Sequence, residues 1–241
     1  MGQWIEPFVP RKLGHPVGEP TIKYLEIGVN SGMIINNVPV ERKIGVDPML
    51  NRTLRYKRAI GIRKFRYYKA TSDDFFAYSA EKAFENSGVD IAFIDGLHEY
   101  EQVVRDIQGT LQYLRPGGVI LVHDCNPTNY ALAYPSKNSI HEIEELAAKG
   151  LLPGWNGFWN GDVWKAIVHM RIISDDLDIF TLDLDWGIGV ICKRPTTRYT
   201  GLTVEELQLA DYSLLETNRQ ALLNLQPPVY LDRFIETLKE V

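Results

Sequence analysis

At 241 residues, with 45% hydrophobic and 24% charged side chains, the chain has the make-up of an ordinary globular domain and can bury a sizeable core, which excludes general disorder. A net charge of -5 argues against wrapping a nucleic-acid backbone, and no run approaches the ~20 apolar residues of a membrane span. Cys125 and Cys192 are too few and too far apart for a zinc CxxC pair or a secreted disulfide framework, which points to a reducing, cytoplasmic setting.

Residues 1–20 read as a Pro- and Gly-rich leader, after which Thr21 to Gly28 (TIKYLEIG) reads as a strand running into a turn. Lys43 to Asp47 (KIGVD) is a second short strand ending in an acid. The basic run from Arg52 to Arg66 reads as a solvated face, and Phe65 to Ala70 (FRYYKA) as a weaker third strand. Ser72 to Glu85 is predicted helical, with Ser72 as its cap and Phe75, Phe76, Ser79, Ala80 and Ala83 along one face. Val89 to Asp95 (VDIAFID) is a nearly continuous apolar run, as a parallel strand buried on both faces requires. In Tyr100 to Leu114 the residues Val103, Val104, Ile107, Leu111 and Leu114 follow the helix period, Pro116-Gly117-Gly118 stops that helix, and Val119 to Asp124 (VILVHD) is the fifth strand.

Beyond it, residues 125–161 form an insertion holding a helix (Ser139 to Lys149) and the aromatic loop Trp155 to Gly161. A helix over Asp162 to Ile173 precedes two strands, Ile179 to Asp185 and Gly187 to Lys193, which read as an antiparallel closing pair joined at Trp186-Gly187. The extension 196–241 is helical by pattern and interrupted at Pro227-Pro228; it covers either the cleft or a partner subunit, so a homodimer is compatible with it. Strands alternating with helices imply a doubly wound, mostly parallel α/β sheet, here of seven strands with an antiparallel last one, within a core of residues 21–195. Ligands bind at the C-terminal edge of such a sheet. Glu26 to Gly32, Asp47, Ser72 to Asp74, Asp95 to His98 and His123 to Asp124 all fall at or just after strand ends.

The turn Glu26-Ile27-Gly28-Val29-Asn30-Ser31-Gly32 places glycines where a backbone bends tightly beside a ligand, and Asn30 tolerates left-handed geometry. A dinucleotide fingerprint would read GxGxxG, but an acid occupies the place of the first glycine. A carboxylate repels a pyrophosphate and suits the cationic amino-acid end of S-adenosylmethionine. Asp47, about 20 residues downstream, stands where an acid accepts hydrogen bonds from both hydroxyls of a ribose.

With these residues the sequence resembles class I S-adenosylmethionine-dependent methyltransferases over roughly Thr21 to Asp124: YLEIGVNSG looks like their first motif and IGVDP their second. The resemblance implies a Rossmann-like fold with Glu26 facing the methionine end, Gly28, Asn30 and Gly32 in the loop, Asp47 on the ribose, and Ser72 or Asp73 at the adenine. The run Phe93-Ile94-Asp95-Gly96-Leu97-His98-Glu99-Tyr100, with Arg115-Pro116-Gly117-Gly118 and Val122-His123-Asp124, resembles the small-molecule and sugar O-methyltransferases. Members of that branch hold a divalent cation between acids ending the fourth and fifth strands, the positions of Asp95 and Asp124 here. Oxygen ligands suit Mg²⁺, although Cys125 replaces the usual acid or amide that follows.

His98 is the candidate general base, with Asp95 beside it in the catalytic set and His123 as a competitor read as structural. Trp155, Phe158, Trp159 and Trp164, with Asn156, Asn160 and Asp162, form either a platform for a sugar or aromatic acceptor or anchors pinning the loop; Asp183 and Asp185 on the sixth strand are either acceptor contacts or solvent-facing alternation, the second being favoured. The expected function is O-methylation of a small molecule or sugar, with neither nucleic acid nor membrane as a partner. The rivals are a donor-binding scaffold without catalysis and, lower, a nucleotide-dependent oxidoreductase.

Overall fold

The computed structural model describes residues 23–49, 65–85, 88–135 and 140–238; the leader and nearly all of the basic run lie outside them. The chain falls into two units, the first made of residues 1–96, 105–121 and 229–241 and the second of 97–104 and 122–228.

In the first unit the sheet order is β3 (Arg66–Tyr68), β2 (Arg42–Val46), β1 (Lys23–Ile27), β4 (Val89–Ile94) and β5 (Leu114–Val122). Parallel pairing sets Ile27 opposite both Val46 and Ile94, and Val46 opposite Tyr68, so these strands end together. The side chains of β1 and β4 are buried on both faces, which is why these two strands carry no apolar–polar alternation. The polar residues they do contain are paired. Asp90 accepts from the Lys23 backbone N–H at 2.9 Å and from Arg115 Nη1 at 3.0 Å, and Lys23 Nζ donates to the Phe84 carbonyl.

The short helix α1 (Met33–Asn37) follows β1, and Lys43 Nζ ties the segment to β2 by donating to the Ile35 and Val38 carbonyls at 2.8 and 2.7 Å. The single helix expected over Ser72 to Glu85 is two, α2 (Ser72–Tyr78) and α3 (Ala80–Phe84), because the backbone leaves helical geometry at Ser79. Nor is Ser72 the cap. Thr71 holds that position, its side chain accepting from Asp74 N–H at 3.1 Å. Phe75, wholly buried, gathers Tyr68, Phe76 and Phe84 around it with ring centroids 5.0, 5.4 and 5.9 Å away. Helix α4 (Tyr100–Tyr113) runs directly into β5, so Pro116-Gly117-Gly118 lies inside a strand that begins five residues before the expected Val119. The C-terminal α9 (Tyr230–Leu238) buries Leu231, Phe234, Ile235 and Leu238 on one face.

The second unit contains α5 (Ile140–Ala148), α6 (Val163–Ile173), β6 (Leu177–Leu182), β7 (Ile188–Lys193), α7 (Val204–Leu209), α8 (Tyr212–Leu223) and β8 (Leu225–Gln226). β6 and β7 are antiparallel, as the turn signal implies, and β6 pairs parallel with the unforeseen two-residue β8. Helix α7 begins in a capping box of Thr203 and Glu206. The mostly parallel, doubly wound α/β architecture with a late antiparallel pairing is the one the sequence implies, with eight strands among the described residues in place of seven.

Because Phe75 sits at the centre of its aromatic cluster, Phe75→Ala is expected to cost roughly 3–5 kcal/mol. Urea unfolding checks this: the midpoint falls while the slope with denaturant stays as in the parent.

Candidate functional site

Donor-side residues gather at the ends of β1, β2 and β4 in the first unit. Three residues of the turn after β1 are left-handed, Gly28 (φ 85), Asn30 (φ 44) and Gly32 (φ 73). Gly28 has no alternative, since a Cβ there would lie 1.9 Å from the Asp95 carbonyl oxygen. The turn is held by Asp47: Oδ2 accepts from Asn30 N–H at 2.8 Å and Oδ1 from Met49 N–H at 2.7 Å. Each carboxylate oxygen keeps a second lone pair, so Asp47 retains room to accept from hydroxyls. Ser72 is buried at the first residue of α2, whereas Asp73 is half-exposed and ion-paired with Arg105 at 3.2 Å.

Glu26 is 2% exposed, and its Oε2 accepts from Tyr24 Oη at 2.6 Å. Burial pushes its carboxyl up to about 8, the neighbouring Asp95 charge adds to the rise, and the Tyr24 hydrogen bond and Lys43 oppose it. Near neutrality the side chain is therefore mostly uncharged, and a cation placed against it would restore the carboxylate.

A second group of residues lies within the second unit. His98 Nδ1 is 2.8 Å from the Trp159 carbonyl oxygen. A carbonyl can only accept, so the neutral ring carries its proton on Nδ1 and its lone pair on Nε2, which lies 3.3 Å from Asp124 Oδ2. Asp124 follows β5 in left-handed geometry (φ 63) and is 6% exposed; its Oδ1 accepts from Asn160 Nδ2 at 2.5 Å and its Oδ2 lies 3.1 Å from His123 Nδ1. His123 stands just beyond the strand end, with Nε2 3.8 Å from Asp185. The aromatic loop reaches this group because Gly161 (φ 63) lies on the His98 backbone, where a Cβ would come within 2.0 Å of the His98 carbonyl oxygen.

The loop's aromatic residues divide. Trp155 and Trp159 pack on the cluster of Ala131, Ile143 and Leu152, Trp159 Nε1 donates to the Tyr134 carbonyl at 2.8 Å, and Trp164 is 1% exposed in the core, so all three anchor the structure. Phe158 alone of the four is exposed (52%), its ring tilted 36° to that of Trp186 at 5.4 Å. Trp186 was invisible as a site residue because a Trp-Gly pair between strands reads as a turn; its backbone is left-handed (φ 64), a strained conformation for a large side chain. Asp183 and Asp185 lie past the end of β6: Asp183 is exposed, as expected, while accepting from Asn126 Nδ2 at 3.0 Å, whereas Asp185 is partly buried and faces His123. Asp162 accepts from the Tyr100 N–H at 2.8 Å and so holds the start of α4.

For a divalent cation the donor chemistry at Asp124 is suitable in part. Cys125 is wholly buried, its thiol is pushed up by burial, and Sγ donates back to the Val122 carbonyl at 3.2 Å, so it offers no ligand. Asn160 is 1% exposed, and its Oδ1 is buried without a hydrogen-bond partner among the described residues, so a hard oxygen next to the Asp124 carboxylate is unsatisfied. The residues present fit a cation.

The family described as a methyltransferase domain matches residues 25–125. Over that stretch the chain is similar to methyltransferase domains. An uncharacterized protein of Acanthamoeba polyphaga mimivirus is 27% identical over 113 residues, covering 43% of this chain and 51% of its own, so the chain spans about half the length of that curated relative. Among solved structures, cofactor-bound Rv0187 from MTB is similar at 18% identity, covering 73% of this chain and 74% of that one with a TM-score of 0.47. The O-methyltransferase TomG from Streptomyces achromogenes is similar at 12% identity, covering 72% and 74% with a TM-score of 0.46. No helix among the described residues is long and apolar enough to cross a membrane.

Glu26 makes the stability of the ligand-free protein depend on pH. Its carboxyl titrates at about 8 when folded against 4.5 as a free side chain, so the unfolded chain loses the proton first and stability falls as pH rises from about 4.5 to about 8. The slope from this group is at most about 1.4 kcal/mol per pH unit. Unfolding measured across this window is expected to flatten in Glu26→Gln.

Proposed function

We propose that the protein transfers the methyl group of S-adenosylmethionine to a hydroxyl oxygen of a small ring-bearing molecule or sugar. The observation that carries this reading, beyond the likeness of residues 25–125 to methyltransferase domains, is how His98 is oriented: Nδ1 is tied to the Trp159 carbonyl and Nε2 is turned to Asp124. In its neutral form such an imidazole is a base with its proton-accepting nitrogen chosen in advance.

On the donor side, Glu26 would receive the ammonium of the methionine moiety, Asp47 the ribose hydroxyls, and Ser72 or Asp73 the adenine edge, with the turn from Gly28 to Gly32 giving close backbone approach. In the transfer the acceptor oxygen attacks the methyl carbon in line with the bond to sulfur, and that bond breaks to leave neutral S-adenosylhomocysteine. The hydroxyl proton passes to His98 Nε2. Asp124 then faces an imidazolium, and its charge stabilises the proton there. Phe158 and Trp186 offer a flat apolar wall for the acceptor ring. A divalent cation such as Mg²⁺, held at Asp124, would supply Lewis acidity toward the acceptor hydroxyl.

The alternative is a donor-binding scaffold without catalysis, which would keep Glu26 and Asp47 and have no use for an oriented His98. Calorimetric titration with S-adenosylhomocysteine and, separately, NAD tests the donor site. Micromolar binding of the first and none of the second is expected, and no binding of either would remove the reading. Affinity should rise with pH by up to about tenfold per unit until about 8, because the ammonium draws the Glu26 carboxyl to its charged form; Glu26→Gln should abolish the slope. With an acceptor found in a screen of phenols and sugars, His98→Ala is expected to bind S-adenosylhomocysteine normally and lose about 10²–10⁴ in turnover. Normal turnover in that variant would show that His98 is structural and that another group takes the proton; absence of turnover in the parent with every acceptor would favour the scaffold.

A further inference from the structure

We propose that Asn160 supplies, through its side-chain oxygen, a ligand for a divalent cation at Asp124. It would take the place of the acid or amide that this chain lacks at Cys125. The inference rests on the metal-assisted form of the methyl-transfer reading.

Three observations lead to it. The residue after Asp124 is disqualified, because the Cys125 thiol is wholly buried and directed back at the Val122 carbonyl. Asn160, 36 positions downstream of Asp124, lays its amide on that carboxylate by donating from Nδ2 to Oδ1. Its own oxygen is buried and accepts from nothing among the described residues. An amide oxygen left in that state costs free energy unless a ligand engages it, and what would engage it must also tolerate a carboxylate within one amide's width. A cation meets both requirements, and carboxylate and carbonyl oxygens are the donors that Mg²⁺ and Mn²⁺ accept.

The loop has no freedom to place Asn160 elsewhere. The backbone N–H groups of Asn160 and Gly161 both donate to the Leu132 carbonyl, at 2.9 and 3.0 Å, and Gly161 is seated on the His98 backbone. The amide is therefore preorganised, as a ligand contributed from outside the strand end has to be.

The rival role for Asn160 is as an outer partner that only orients Asp124 through its N–H donor, and two substitutions separate the roles. Asn160→Ala removes donor and ligand together and is expected to weaken binding by about tenfold or more on either view. Asn160→Asp removes the donor and keeps an oxygen ligand, now charged. If Asn160 is a ligand this variant binds the cation as tightly as the parent or tighter; if it only orients Asp124, binding weakens as in the alanine variant.

The probe is Mn²⁺ added to the full-length protein, with the free ion followed by electron paramagnetic resonance and the melting temperature recorded at each concentration. The expected result is one bound Mn²⁺ in the parent, weaker binding in Asn160→Ala, undiminished binding in Asn160→Asp, and a larger Mn²⁺-induced rise in melting temperature for Asn160→Asp, where two carboxylates face each other without the ion. Weakened binding in Asn160→Asp, or undiminished binding in Asn160→Ala, overturns the proposal. Should Asn160→Ala fail to fold, the aspartate variant decides alone. Absence of Mn²⁺ binding in the parent also overturns it, and S-adenosylhomocysteine titrated into the same sample then tells whether the donor site stands without the cation or the methyl-transfer reading has failed with it.

Discussion

A parallel strand buried on both faces has no surface on which to carry polar side chains, so its chemistry is driven to its ends. In the first unit β1, β2, β3 and β4 finish in register, Ile27 against Val46 and Ile94, Val46 against Tyr68. The residues that follow, Gly28 to Gly32, Asp47 and Asp95, thus arrive at one edge as a consequence of strand pairing. The turn after β1 is then fixed from two sides: the Asp95 carbonyl occupies the space a Gly28 side chain would need, and Asp47 takes the Asn30 N–H. Neither contact is possible without the register.

Polar groups left inside the strands show what an exception requires. Asp90 has the Lys23 N–H and Arg115, and Lys43 has two carbonyls; each exchanges water for defined partners and serves only to tie elements together. Glu26 differs. Its partners are the Tyr24 hydroxyl and the Ile35 backbone N–H, neither of them charged, and the group responds to burial by holding its proton at neutral pH. A buried carboxyl kept uncharged until a cation reaches it couples ligand charge to local stability, something a structural ion pair cannot do.

The strands and the donor edge were legible because they rest on short-range signals: continuous apolar runs, glycines at turns, an acid at a strand end. The helix cap slipped from Ser72 to Thr71 because both residues offer the same hydroxyl and only backbone geometry separates them. The break at Ser79 could not be foreseen, since the apolar spacing continues across it. β8 is two residues long and is defined by its partner β6, which no local pattern reveals. Trp164 and Trp155 look in sequence like Phe158, and only burial shows that two of them are anchors and one faces outward. Asn160 was legible only as a polar residue of the aromatic loop and Trp186 only as part of a turn, for a related reason: their contacts with Asp124 and Phe158 are made across tens of residues.

The polar group around Asp124 brings two carboxylates, two imidazoles and an amide oxygen together. His98 meets the Trp159 carbonyl through Nδ1 and turns Nε2 to Asp124, His123 turns one nitrogen to Asp124 and the other to Asp185, and the Asn160 oxygen is buried without a hydrogen-bond partner among the described residues. Such an arrangement is suited to take up positive charge, either as the proton that leaves an acceptor hydroxyl or as a cation held by the oxygens. Both fates favour the departure of a proton from the acceptor. The strained left-handed backbone at Asp124, Asp185 and Trp186 fits the same logic: local conformational energy is spent to hold acceptors where folding alone would disperse them.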